Sequence, residues 1–176
     1  MSPMRLTIIE TGRLFLRPPS ERDLACAMRH LASGACLATA PLSGAAARRQ
    51  FPVLMTHWHL NGFGLFAAVP EGADVPMGLV GPWQPSGWPE PEIGWLVWRQ
   101  ADDAVELTAE AVSAACDHAC ARLGWREAAS FLCPADARSL AVAELTGALA
   151  DPFADCAGAI AYRHPRAPRR PLPRAA

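Results

Sequence analysis

Apolar and polar positions alternate along Arg13–Arg17 ("RLFLR"), and the Pro-Pro-Ser that follows bounds a short first strand. From Ser20 the period changes. Leu24, Met28 and Leu31 fall on one stripe of a helix, with Ser20 as N-cap, Asp23 three residues on and Gly34 as its stop. A second helical pattern runs from about Ser43 to Leu60, and Pro52 either divides it or begins its second half. "GLFAAV" (64–69) and "MGLVG" (77–81) read as two strands of a hairpin, and "EPEIGWLVW" (90–98) as a longer strand. Leu107, Ala111, Ala115, Ala119 and Leu123 then share a helix face that Gly124 ends. "EAASFLC" (127–133) is a strand, 134–148 a helix capped by Asp136 and stopped by Gly147, and "AIAYR" (159–163) a last short strand. A strand–helix–strand crossover at 91–133 among such hairpins predicts an α/β domain with a mixed sheet.

Length and composition narrow this without redirecting it. The 176 residues suit one domain with a proper core. The pattern predicts a single domain over 1–166 and a Pro/Arg-rich tail, 167–176, too poor in apolar residues to pack. A net charge of −1 gives no field that would favour nucleic acid or an anionic membrane. Every basic residue is Arg, so chemistry that needs a lysine nucleophile is excluded. The N-terminus has no signal-peptide pattern and no stretch is long and apolar enough for a membrane span, so the expectation is a cytoplasmic protein with reduced cysteines.

Three segments in order resemble the GNAT superfamily of acetyl-CoA-dependent N-acetyltransferases, in particular its ribosomal-protein N-terminal acetyltransferase branch. "ETGRLFLRPPSERD" (10–23) is similar to that branch's opening strand and helix cap. "GWPEPEIGWLVW" (87–98) and "LTAEAVSAACDHACARLGW" (107–125) are similar to its central strand and following helix. "PADARSLAVAELTGA" (134–148) is similar to P-x-N-x-x-S-x-x-V-x-E-x-x-G-A, with Arg138, Ser139, Val142, Glu144, Gly147 and Ala148 in place and Asp136 at the Asn position. The closing "AYRHP" (161–165) also fits, so the likeness spans roughly 10–165.

The resemblance implies a mostly antiparallel sheet flanked by helices on both faces. It also implies acetyl transfer from acetyl-CoA to a primary amine, on a small molecule or a protein N-terminus, by a monomer or homodimer. The pantetheine arm would pair with an open strand edge at Trp95, Leu96 and Val97. The diphosphate would rest on the next helix start, at Ala104, Val105, Glu106, Leu107 and Thr108, with Arg99 just upstream, and Asp136 and Ser139 are further candidates for cofactor binding. Glu92 is the candidate general base, with Glu90 on the same strand face. A solvated carboxylate on a strand face gives the same pattern. His57 and His59 could border the amine, but residues two apart on a helix diverge, so at most one would serve. The tyrosine that many GNAT enzymes use as an acid is replaced by Val142 and Ala143, and Tyr162 sits on the last strand. Trp83, Trp88, Trp95 and Trp98 flank the central strand, as cleft walls or as core. Cys116, His118 and Cys120 lack the partners for a metal site and read as core residues.

The helix start itself conflicts with the resemblance. The phosphate loop G-x-G-x-A-T-E-A falls on "AVELTAEA" (104–111), where the two glycines are Ala104 and Glu106, preceded by Asp102 and Asp103. Glu106 about 5 Å from a phosphate charge would repel it by roughly 3 kcal/mol at an effective dielectric near 20. That corresponds to about two decades of affinity. Asp103 and Glu106 also spell a D-x-x-E capping box, which predicts that the helix satisfies its own first amides. A catalytically degenerate GNAT-like binding module is the alternative this suggests.

Overall fold

The computed structural model describes residues 7–32, 37–38, 44–84, 86–88, 90–156 and 158–165. In chain order the elements are β1 (Ile9–Glu10), β2 (Leu14–Arg17), α1 (Glu21–Ala32), β3 (Leu37–Ala38), α2 (Gly44–Asn61), β4 (Phe66–Pro70) and β5 (Gly78–Trp83). They continue with β6 (Glu92–Val97), α3 (Ala104–Arg122), β7 (Ala129–Leu132), α4 (Ala137–Leu145), β8 (Leu149–Cys156) and β9 (Ala159–Arg163). The strands form one sheet in the order β1-β2-β4-β5-β6-β7-β9-β8, with β3 paired to β6 off that path. All pairs are antiparallel except β6 with β7. That exception follows from the chain: β6 and β7 are joined through α3, and such a crossover returns the strand in the same direction.

Alternation along the strands divides the core in two. Leu14, Leu16, Phe66, Val80, Trp95, Val97 and Leu132 meet Leu107, Ala111, Val112 and Ala115 of α3 and Val142 of α4 on one face. Leu65, Ala67, Leu79 and Trp98 meet Cys26 and Ala27 of α1 and Leu54 of α2 on the other. Helices therefore cover both faces, as the sheet's two-sided burial requires. Gly78 lets β5 approach β6: a Cβ there would meet Leu96 O and Val97 Cα at 2.8 Å. The crossover helix ends where its sequence indicates. Gly124 has φ +73, and the Trp125 N–H closes back on Ala119 O at 3.1 Å.

One expectation needs correction, and three strands were not foreseen. Pro52 neither divides nor begins a helix; α2 runs through it as one element. Proline removes one helical hydrogen bond at a cost of about 3 kcal/mol, and buried Trp58, whose indole donates to Leu65 O at 2.9 Å, anchors the second half against the sheet. β8 carries no clear alternation because it is an edge strand with Pro152 and a register shift between Asp151 and Asp155. The two-residue strands β1 and β3 are below the length at which a period is readable. The side chains of Leu24, Met28 and Leu31, together with Gly34, Ser43 and the tail 167–176, lie outside the described residues. No described helix is long and apolar enough to cross a membrane.

Candidate active site

The site follows from how β6 and β7 part. They pair at one position, Glu92 against Ala129, and no further pair joins them. Side chains bridge the root of the gap. Ser130 Oγ donates to Ile93 O at 2.6 Å, which uses its single proton, so the contact at 2.8 Å has His164 Nε2–H donating to Ser130. Buried His164 is held neutral, its pKa pushed down to about 4 by desolvation.

Glu92 sits beside this root and is 2% exposed, so it is not a solvated strand-face carboxylate. Trp88 Nε1–H donates to its Oε2 at 2.8 Å, and the Phe131 N–H lies 3.4 Å from its Oε1. Donors on both oxygens suit a carboxylate and offset part of its burial cost. Trp83 is its register partner on β5, which puts both side chains on one sheet face, and Phe131 lies on that face of β7. Trp83 and Trp88 are half-buried, whereas Trp95 and Trp98 are core residues. Glu90 is paired with Arg163 instead of joining Glu92.

Buried His57 packs on Trp83 at 4.5 Å. Its Nε2 accepts from the Gln84 N–H at 3.3 Å, so Nδ1–H donates to Phe63 O at 2.9 Å, and neither nitrogen is left for an amine. His59 is exposed and contacts Met55 O of its own helix.

At the other end of β6 the expected open edge is covered. β5 holds one side of Leu96 and Val97 (Leu79↔Leu96, Gly78↔Val97), and β3 holds the same two residues on the other (Ala38↔Leu96, Leu37↔Val97). A strand has only two edges, so β3 occupies the one that turns toward β7 and α4. The indole of Trp95 lies on the α3–α4 face of the sheet, donating to Ser139 Oγ of α4 at 3.3 Å. Ser139 in turn donates to Asp136 Oδ2 at 2.7 Å, while Asp136 Oδ1 caps α4 through the amides of Arg138 and Ser139.

The capping box at the start of α3 does not form. Asp103 is the N-cap residue but makes no side-chain cap bond. Arg99 takes its carboxylate instead, through Nε at 2.9 Å and Nη2 at 3.2 Å, and this pairing lowers the Asp103 pKa. A bidentate guanidinium outcompetes a neutral amide for an anion. The Val105 and Glu106 N–H groups consequently have no acceptor among the described residues, as expected of an uncapped first turn. The glycine replacements also differ in kind. Ala104 is fully buried, so its methyl points into the core, whereas Glu106 is exposed. Val105 is half-buried; Leu107 is core, and Thr108 Oγ1 donates to Ala104 O at 2.6 Å.

Sequence reasoning missed a cation here. Arg138 reaches from the first turn of α4 to Gln100 Oε1 at 3.2 Å and Arg99 O at 3.5 Å, which sets a second guanidinium beside the start of α3. Its place in the family motif marked it, but only the return of the chain brings α4 next to residues 99–100.

Residues 13–148 match the family model for the acetyltransferase (GNAT) domain. The chain belongs to the GNAT acetyltransferase family. An acetyltransferase from Agrobacterium tumefaciens strain C58 shares 26% identity at a TM-score of 0.77, with 90% of this chain and 94% of that one covered. RimJ of Mycobacterium smegmatis, solved with CoA-disulfide, aligns at 15% identity and TM-score 0.63, covering 93% and 89%. The ribosomal-protein-S5-alanine acetyltransferase of Vibrio fischeri aligns at 14% and 0.62, covering 94% and 100%. At such identities the last two show the fold alone. No curated protein matches.

In this GNAT chain the one charged residue retained from the phosphate loop, Glu110, works elsewhere. It accepts from Thr11 Oγ1, from the Arg13 N–H at 2.8 Å and from Arg13 Nε at 2.7 Å, tying the β1–β2 hairpin to α3. Val142 and Ala143 are buried in the core, and Tyr162 is half-buried against it. No three His, Cys, Asp or Glu side chains are grouped to hold a metal among the described residues. Burial pushes the Cys116 thiol up to about 12, which keeps it protonated.

Proposed function

We propose that this protein is an N-acetyltransferase that moves the acetyl group of acetyl-CoA to a primary amine, with Glu92 as the general base. The observation that carries the reading is the buried Glu92 carboxylate at the root of the β6–β7 gap, hydrogen-bonded by half-buried Trp88 and in register with half-buried Trp83. Acetyl-CoA supplies an acyl carbon activated as a thioester. The chain's own part is to accept the ammonium proton at a Glu92 oxygen, to exclude water with the two indoles, and to hold the partners in line. Two carboxylate oxygens already oriented by donors favour this role over that of a passive core group.

The cofactor end fits incompletely as arranged. The free Val105 and Glu106 amides, Arg138 and the α3 dipole suit a diphosphate. Asp102, Glu106 and the engaged Arg99 oppose it, and β3 lies on the edge that pantetheine would use. Those same features support a second reading, a GNAT-like binding module with weakened CoA affinity. The acceptor is a small-molecule amine or a protein N-terminus, the latter in keeping with what the Vibrio fischeri relative is named for. We assign the domain to 1–166 and the protein to the cytoplasm, as a monomer or homodimer that binds neither nucleic acid nor membrane.

The test is release of free thiol from acetyl-CoA by the purified protein, with a panel of N-terminal peptides and small amines. Acetylation of any acceptor that falls about 100-fold or more in Glu92→Gln supports the enzyme. Binding of CoA without transfer to any acceptor would favour the module.

A further inference from the structure

Glu92 is buried and held at both oxygens. The half-buried indole of Trp88 donates Nε1–H to Oε2 at 2.8 Å. The other oxygen faces the Phe131 N–H at 3.4 Å, and the Trp88 ring stands edge-on against the Phe131 ring, with centroids 6.3 Å apart at 88°. Trp88 and Phe131 thus brace each other while each addresses a different oxygen of one carboxylate. An indole N–H is a donor only, and its bond to an anionic oxygen is stronger than its bond to a neutral carbonyl, so it favours the ionised form of this carboxylate.

We propose that Trp88 is a positioning residue for Glu92: its N–H fixes which carboxylate oxygen faces the cleft and keeps the group ready to take a proton. This rests on Glu92 being the base. The half-exposed indole is also the surface that an arriving ammonium meets, an aromatic face that attracts a cation. As the amine takes its place on Oε2, the indole N–H gives it up, so Trp88 and the acceptor compete for one oxygen. No titratable side chain on β3, β5 or β7 confuses this assignment. Among the described residues near the same end of β6, Glu90 is paired with Arg163, and both ring nitrogens of His57 are engaged.

The experiment needs no acceptor. Carboxyl carbon-13 resonances are followed against pH in the full chain, with Glu92→Gln identifying the signal. Trp88→Phe keeps a ring and loses the N–H, and the Glu92 midpoint rises by about one pH unit relative to wild type. In the wild type the indole N–H resonance of Trp88 shifts through that same midpoint, and in Glu92→Gln it stays flat. A midpoint unmoved by Trp88→Phe overturns the proposal, as does an indole signal that ignores the Glu92 titration, a measurement that stands even if the variant fails to fold. Failure of the underlying reading looks different: acetyl transfer would persist in Glu92→Gln whatever the titrations show.

Discussion

Arg99 grips Asp103 through two hydrogen bonds, of 2.9 and 3.2 Å, and so turns the N-cap carboxylate of α3 away from the amides it would otherwise cap. The helix start is therefore acidic in its side chains and open in its backbone. Whether an anion binds there depends on which contribution is larger, and each can be removed separately.

Asp103→Asn releases Arg99, and Glu106→Gly removes the exposed carboxylate. Each is expected to tighten CoA binding, Glu106→Gly by about ten- to a hundredfold at low salt and less as ionic strength rises. Calorimetric titration with CoA measures both. Unchanged affinity in the two variants would mean that the diphosphate does not sit at this helix.

Arg138 sets a guanidinium beside the start of α3, where a cation would favour a diphosphate. Arg138→Ala is expected to weaken CoA by about tenfold, roughly the 1.4 kcal/mol of one exposed charge-assisted contact. Binding of pantetheine, which lacks the nucleotide, stays unchanged. Equal losses for both ligands would assign Arg138 to packing instead.

β3 and a pantetheine arm cannot both pair with the edge of Leu96 and Val97 that faces away from β5. On addition of CoA, hydrogen exchange at Leu37 and Ala38 is expected to accelerate while Leu96 and Val97 remain protected, since one partner replaces another. Continued protection of residues 37–38 in a CoA-saturated sample would place the pantetheine arm elsewhere.

His164 carries a pH signature of its own. Its pKa is depressed to about 4 in the fold from 6.5, so the unfolded chain binds the extra proton first and stability falls as pH drops below 6.5. Between pH 7 and 5 the loss is about 2 kcal/mol, in a window above Asp23 and Glu110, where hydrogen bonds outweigh burial and lower the carboxyls, from Arg17 and Ser20 for Asp23 and from Thr11 and Arg13 for Glu110. Urea unfolding at the two pH values measures it. His164→Gln should show a flatter dependence, and an equal slope in both proteins would assign the loss to another group.

Hydrophobic period, caps and stops were legible in the sequence because they are local. Asp136 caps α4 and Gly124 and Gly147 end their helices at positive φ, each decided within a few residues. The sheet's central crossover and its two covered faces follow from the order of strands and helices. The family match confirms the likeness carried by "EIGWLVW" and "PADARSLAVAELTGA". Edge strand β8 was not legible, since an edge tolerates the proline and bulge that erase alternation.

What the tertiary structure alone decided is which partner each polar group takes. Asp103 and Glu106 form a capping box in sequence, but a guanidinium four residues upstream competes for the same carboxylate and prevails by charge. Glu92 fits a solvated strand face in sequence, and becomes a buried base candidate only when Trp88 folds over it and β7 diverges beside it. The β6 edge belongs to β3, which the sequence could not indicate because two residues carry no period. Local propensity depends on a residue and its neighbours; the choice among competing partners depends on which of them the fold brings within 3 Å.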